Sequence, residues 1–94
     1  MEKWSFLTNH ARALLFIARD PNTRLRDIAD ALGITERSAY GIVADLTHAG
    51  YVVKTKDGRR NRYRIEADRA LSDRVIPDRT TSHLLQLLGD DSFT

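Results

Sequence analysis

The chain contains no cysteine. Disulfide staples and thiolate metal sites are therefore excluded outright. No apolar run approaches the roughly 20 residues that a bilayer-spanning helix needs. The leading segment MEKWSFLTNH lacks the apolar core of a secretion signal, so a soluble, cytoplasmic protein with no membrane partner is expected. Internal repeats and low-complexity stretches are absent. No nucleophile sits near a base in a recognisable motif, and no glycine loop of the phosphate-cradling kind occurs, so an enzyme is not expected. The histidines His10, His48 and His83 are scattered, with no tight His/Asp spacing. They read as structural or exposed side chains, and neither metal nor cofactor is expected.

What remains is enough for one domain spanning 1–94, since 94 residues with 41% apolar content can close a small core rather than stay disordered. A lone domain of this size has little core of its own and gains from a partner.

The net charge is only +2, but it is unevenly spread. The stretch KTKDGRRNRYR, residues 54–64, holds Lys54, Lys56, Arg59, Arg60, Arg62 and Arg64 against Asp57 alone. That is a local balance of +5, which leaves the rest of the chain at −3. A positive field concentrated in one place suits a polyanion.

Just upstream, LRDIADALGITERSAYGIVADL reads as helix, tight turn, helix. Leu25, Ile28, Ala29 and Leu32 repeat at i, i+3, i+4, i+7, one face of a helix. Gly33 stands where a helix ends in a left-handed residue. Ile34 offers an apolar plug for the corner. Thr35 suits an N-cap, and Glu36 falls in the first turn, where the helix dipole favours negative charge. Ala39, Ile42, Val43 and Leu46 continue the apolar spacing. Two short helices meeting at a glycine corner form a helix-turn-helix.

Around this core the chain runs as follows. Trp4 and Phe6 would anchor a loose lead-in. A helix is expected from about Thr8 to Arg19, with Leu7, Ala11, Leu14, Leu15 and Ala18 as its stripe, widened by Phe16 and Ile17. Such girth suggests burial on more than one side. Asp20-Pro21-Asn22 ends it, and Thr23 to Leu25 suits a very short strand. Ala49-Gly50 closes the second helix of the motif. Tyr51–Lys56 reads as a strand, Asp57-Gly58 as a hairpin turn, and Arg59–Glu66 as the return strand. On that strand Asn61, Tyr63 and Ile65 share one face, and Arg60, Arg62, Arg64 and Glu66 the other. Tyr51 and Tyr63 read as core. A polar connector follows, then a last helix over Thr80–Leu88, capped by Thr80, Thr81 or Ser82, stopped by Gly89 and frayed beyond it. The fold class is thus mainly α with a small β-hairpin, an α+β arrangement.

The segments FLTNHARALL, RLRDIADALGITERSAYGIVADLTHAGYV and GRRNRYRI resemble the MarR/ArsR-type winged helix-turn-helix transcriptional regulators, in particular small members of actinobacterial and archaeal type. With the leucine-rich tail the likeness covers nearly the whole chain. It implies a sequence-specific regulator of double-stranded DNA, a repressor associated with the nucleoid. The helix at about 35–49 would enter the major groove, and the basic wing at about 54–64 would meet the minor groove or backbone. Matched residue by residue, Thr35, Glu36, Arg37, Ser38, Tyr40 and Gly41 face the duplex. Helical spacing agrees, since Arg37, Tyr40, Gly41 and Ala44 lie opposite the apolar face. A guanidinium at Arg37 can hold guanine O6 and N7 together. Thr35 and Ser38 suit phosphates, which position without reading sequence. Tyr40 suits a base methyl or a phosphate. Gly41 departs from the family's long polar side chain, which means either close backbone approach or a weaker contact. Lys54, Lys56, Arg59, Arg60 and Arg62 would serve the wing, where arginine also fits a narrow minor groove.

Each reading has a plainer rival. The basic ribbon can be an edge charged against aggregation, and Arg37 an ordinary surface arginine. Arg26 and Asp27 can contact phosphate and cap the helix, or simply pair. The winged helix can serve as a protein–protein interaction module without DNA. Apolar surface on the first and last helices suggests a homodimer on a palindromic operator. The rival there is a monomer whose last helix folds back on its first.

Overall fold

The computed structural model describes residues 5–89. Trp4 and the tail after Gly89, two of the expectations above, lie outside them. Six elements follow in order: α1 Asn9–Arg19, α2 Leu25–Leu32, α3 Glu36–His48, β1 Val52–Asp57, β2 Arg60–Ile65 and α4 Thr81–Leu88. This is the expected α+β winged helix.

Helix α1 starts where Thr8 caps it, its hydroxyl accepting from the Ala11 N–H at 3.1 Å. It ends at Asp20, ahead of Pro21. Ala13, Leu14 and Ile17 are buried in the core, while Leu15, Phe16 and Ala18 are only half-covered. Phe6, expected as an anchor, is 89% exposed.

The corner between α2 and α3 is a Schellman ending. Gly33 has φ +75, and the Ile34 N–H donates back to the Ala29 carbonyl at 3.0 Å. That six-to-one bond requires a left-handed residue, which glycine adopts without steric cost. Ile34 then packs against the core. Thr35 caps α3, accepting from the Ser38 N–H at 3.0 Å. The far end of α3 repeats the device: Gly50 has φ +89, and the Tyr51 N–H donates to Leu46 at 2.9 Å.

The core gathers Ile17 from α1, Ile28 and Leu32 from α2, Ala39, Val43 and Leu46 from α3, Val52 from β1 and Tyr63 from β2. At roughly 25 cal/mol per Å² of apolar area buried, this cluster is the main force fixing α3 on the domain.

Strands β1 and β2 pair antiparallel from Val52↔Ile65 to Asp57↔Arg60. The loop is therefore Gly58-Arg59, one residue later than the Asp57-Gly58 turn read from the sequence. Gly58 has φ +70 and Arg59 does not have a positive φ. A two-residue loop with only its first position left-handed is of the II′ kind, which places glycine first. The short strand expected at 23–25 is not formed. Leu25 already belongs to α2, and the segment ahead of it meets the wing through the Pro21 carbonyl, which accepts from the Tyr63 N–H at 2.9 Å, and the Asn22 carbonyl, which accepts from the Arg60 guanidinium.

Beyond the wing, an Ala70↔Thr80 bridge closes a loop and sets α4 in place. The Thr80 N–H donates to Nδ1 of His83 at 3.0 Å, which completes the first turn of α4. Leu88 and Gly89 share a cleft with Leu15 and Phe16 of α1. The outer side of α4 leaves Leu87 80% exposed.

Candidate nucleic-acid interface

Helix α3 buries Ala39, Ile42, Val43 and Leu46. The face opposite them carries Arg37, Gly41, Ala44 and His48, at spacings of four, three and four residues. All four are exposed, and Tyr40 beside them is 62% exposed. His48, read from the sequence as a structural or exposed side chain, is exposed and extends this row at helical spacing from Gly41 and Ala44.

The first turn of α3 is more committed. The Thr35 hydroxyl accepts from the Ser38 N–H and donates to Ser38 Oγ at 3.0 Å. Its hydrogen is thereby used inside the cap, whereas the Ser38 hydroxyl keeps its own donor. Glu36 lies 4.0 Å from Arg26, both side chains well exposed. This pair takes Arg26 into the motif's own electrostatics, while Asp27 stands in the first turn of α2. Gly41 has no heavy atom within 4 Å of where a Cβ would stand, and its backbone is ordinary helix.

The wing cations divide between two faces. Lys54 pairs with Tyr63 and Lys56 with Asn61, so both lysines share the face that packs on the domain. Lys54 joins Tyr40, Ala44 and His48 in lining a cleft of about 270 Å³ between wing and α3. Arg62 and Arg64 stand with Val53 and Thr55 on the other face. Arg64 is occupied by Glu66 at 3.0 Å. Arg59 lies in the loop. Arg60 reaches back to donate to the Asn22 carbonyl at 3.2 Å, and with Arg59 and Arg24 it lines a second cleft of about 340 Å³. The run of cations that looks continuous in sequence is thus three small groups in space. Strand alternation separates the two lysines from Arg60, Arg62 and Arg64, and the bond to Asn22 draws Arg60 away from the other two arginines.

Burial pushes the Tyr63 phenol above its usual value of 10.0. This keeps the residue neutral and apolar under the wing. Among the described residues no group of three or more His, Asp or Glu could hold a metal ion, and no helix is long and apolar enough to cross a membrane.

The sequence model of the MarR family matches residues 5–62, more than half of the chain. The chain belongs to the MarR family. The match runs from the lead-in to α1 through the first half of β2, so the helix-turn-helix and the tip of the wing of this MarR-family protein fall inside it and α4 falls outside. The protein is accordingly a winged-helix transcriptional regulator that binds DNA. No curated protein matches the sequence.

Proposed function

We propose that this MarR-family protein is a sequence-specific binder of double-stranded DNA that acts as a repressor. It works as a single domain, in the cytoplasm and on the nucleoid, without a cofactor or catalytic step. Helix α3 enters the major groove, with Arg37 reading a base edge and Ser38 and Thr35 near phosphates. Tyr40 reaches a base methyl or phosphate. Lys54, Lys56, Arg59, Arg60 and Arg62 meet the neighbouring backbone or minor groove, and Glu36 faces the same duplex with its charge offset by Arg26.

One observation carries this reading. The outward stripe of α3 is exposed along its length, and Lys54 of the wing shares a cleft with its C-terminal half. A duplex seated on the stripe meets the wing lysines without any rearrangement of the domain.

The homodimer rests on α4, whose Leu87 and Leu88 remain exposed after the chain has folded. A two-fold pair of reading helices would match a palindromic operator with half-sites about one turn of DNA apart. Repression follows from occupancy, since a small protein clamped on a promoter excludes other proteins from it.

Selection of bound sequences from a random duplex pool tests function and symmetry together. The expected result is an inverted repeat whose binding weakens steeply with salt and weakens further in Arg59→Ala/Arg60→Ala. If the wild type ignores duplex DNA in dilute buffer, or if the double substitution changes nothing, the protein-interaction reading of the winged helix replaces this one.

A further inference from the structure

Arg69 lies in the segment between the wing and α4, seven residues beyond the family match. Its side chain and its backbone hold different elements. The Nε donates to the carbonyl of Ala49, the residue that ends α3, at 2.9 Å. The guanidinium carbon stands 5.5 Å from the centre of the Tyr51 ring. Meanwhile the Arg69 carbonyl accepts from the Thr81 N–H at 2.8 Å and from the Thr81 hydroxyl at 2.9 Å. Thr81 is the first residue of α4 and is fully buried. Tyr51 closes the set, its hydroxyl donating to the Ala70 carbonyl at 2.9 Å.

A cation at a helix C-terminus satisfies orphan carbonyls and complements the dipole. The same residue is bonded through its carbonyl to the start of another helix. A displacement of α4 therefore acts on Arg69 and, through its guanidinium, on the last turn of α3. The φ of +89 at Gly50 requires glycine there, and the guanidinium lies over it at a distance a Cβ would also accept.

We propose that Arg69 is a positioning residue for DNA binding, coupling the placement of α4 to the order of the C-terminal turn of α3. The proposal rests on the reading of α3 as the DNA-entering helix. It concerns how the helix is held, and Arg69 itself need not touch the duplex.

Three variants test it: Arg69→Met, Arg69→Lys and Thr81→Val. The last removes one of two bonds to the Arg69 carbonyl and leaves the other, so it keeps the fold even if Arg69→Met does not. The first measurement needs no DNA. The amides of Ala49, Gly50 and Tyr51 bond to Asp45, Thr47 and Leu46 within α3, and their hydrogen exchange reports that turn. Thr81→Val touches none of these bonds, yet should speed exchange there roughly threefold or more relative to Leu14 and Ile17 in α1, as coupling through a packed network typically does. Arg69→Met should do the same, and the double variant should add nothing. Unchanged exchange, acceleration equal across the protein, or additive effects would each overturn the coupling.

The second measurement uses a duplex selected by the wild type. Arg69→Met should weaken binding about 3- to 10-fold with the salt slope unchanged, and Arg69→Lys should recover part of the loss. A slope reduced by about one would instead make Arg69 a phosphate contact and overturn the positioning role. If the wild type binds no duplex, the DNA-binding reading fails, while the exchange measurement still decides the coupling alone.

Discussion

Lys54 stands directly opposite Tyr63 across the hairpin, and this places it on the ribbon face turned toward α3. Arg64, ten residues on, stands on the opposite face and is held by Glu66 at 3.0 Å. Equal charges in the same strand pair should therefore matter unequally. Lys54→Ala is expected to lower the slope of log affinity against log salt by about one, the signature of one lost phosphate contact. Arg64→Ala should leave that slope nearly unchanged. Titration of both variants at several salt concentrations measures the difference directly. Equal slopes would mean that the duplex approaches the wing from the Arg62 side.

Gly41 presents a second asymmetry. A glycine in an exposed helix interior costs about 1 kcal/mol relative to alanine. Nothing among the described residues calls for it: the space is open and the backbone is ordinary helix. On the proposed reading, close approach of α3 to DNA is what calls for it. Gly41→Ala should raise stability by about 0.5–1 kcal/mol and at the same time weaken DNA binding. Denaturant unfolding and a binding titration on one sample check both signs. A variant that is more stable and binds as well as the wild type would leave Gly41 with only the weaker-contact role.

The helix-turn-helix was legible because local chemistry and packing agree there. Gly33, Ile34 and Thr35 each have one conformation that satisfies both the corner and the core, so spacing alone located it. The wing register was less legible. The alternation of Asn61, Tyr63 and Ile65 was readable, but the register of β1 depends on which residues make the turn. Taking Asp57-Gly58 instead of Gly58-Arg59 pairs Lys54 with Asn61 rather than Tyr63, which keeps its face but shifts its partner by two residues. Arg69 could not be read at all, because its partners Ala49 and Thr81 lie 20 and 12 residues away in opposite directions. No periodicity marks such a node.

Tyr63 should make stability depend on alkaline pH. Burial raises its pKa above the ordinary 10.0, so the unfolded chain gives up this proton before the folded one does. The stabilisation from the neutral phenol is full below pH 10 and is lost as pH rises through that value toward the folded pKa. Tyr63→Phe should match the wild type near pH 7 and become relatively more stable above pH 10. Thermal unfolding of both proteins across that range gives the comparison. Parallel curves would show that the phenol is no less accessible folded than unfolded.

The contact between His10 and Asp45 joins α1 to α3 at 2.8 Å, but its weight should be small. Both side chains are about half exposed or more, and surface pairs of this kind contribute about 0–1 kcal/mol. Ile17 joins the same helices to the core with no exposed surface. Its truncation to alanine should cost about 2–5 kcal/mol. Chemical denaturation of Asp45→Ala and Ile17→Ala should rank them in that order. A larger loss for Asp45→Ala would make the hydrogen bond between His10 and Asp45, not the apolar core, the chief constraint on α3.

Leu87 decides whether α4 serves assembly. It is 80% exposed, at the rim of an apolar cleft with Leu71, Ile76 and Leu84. A leucine this exposed costs the monomer little when replaced by a charge, about 0.3–1 kcal/mol for a carboxylate in the last turn of a helix. At a two-fold interface the same change places two carboxylates against apolar surface or each other, a cost of several kcal/mol. Leu87→Asp should therefore lower the melting temperature of a dilute sample only slightly while shifting sedimentation from dimer to monomer. It should also weaken binding to an inverted repeat far more than binding to a single half-site. A sedimentation profile identical to that of the wild type would remove α4 from the dimer interface.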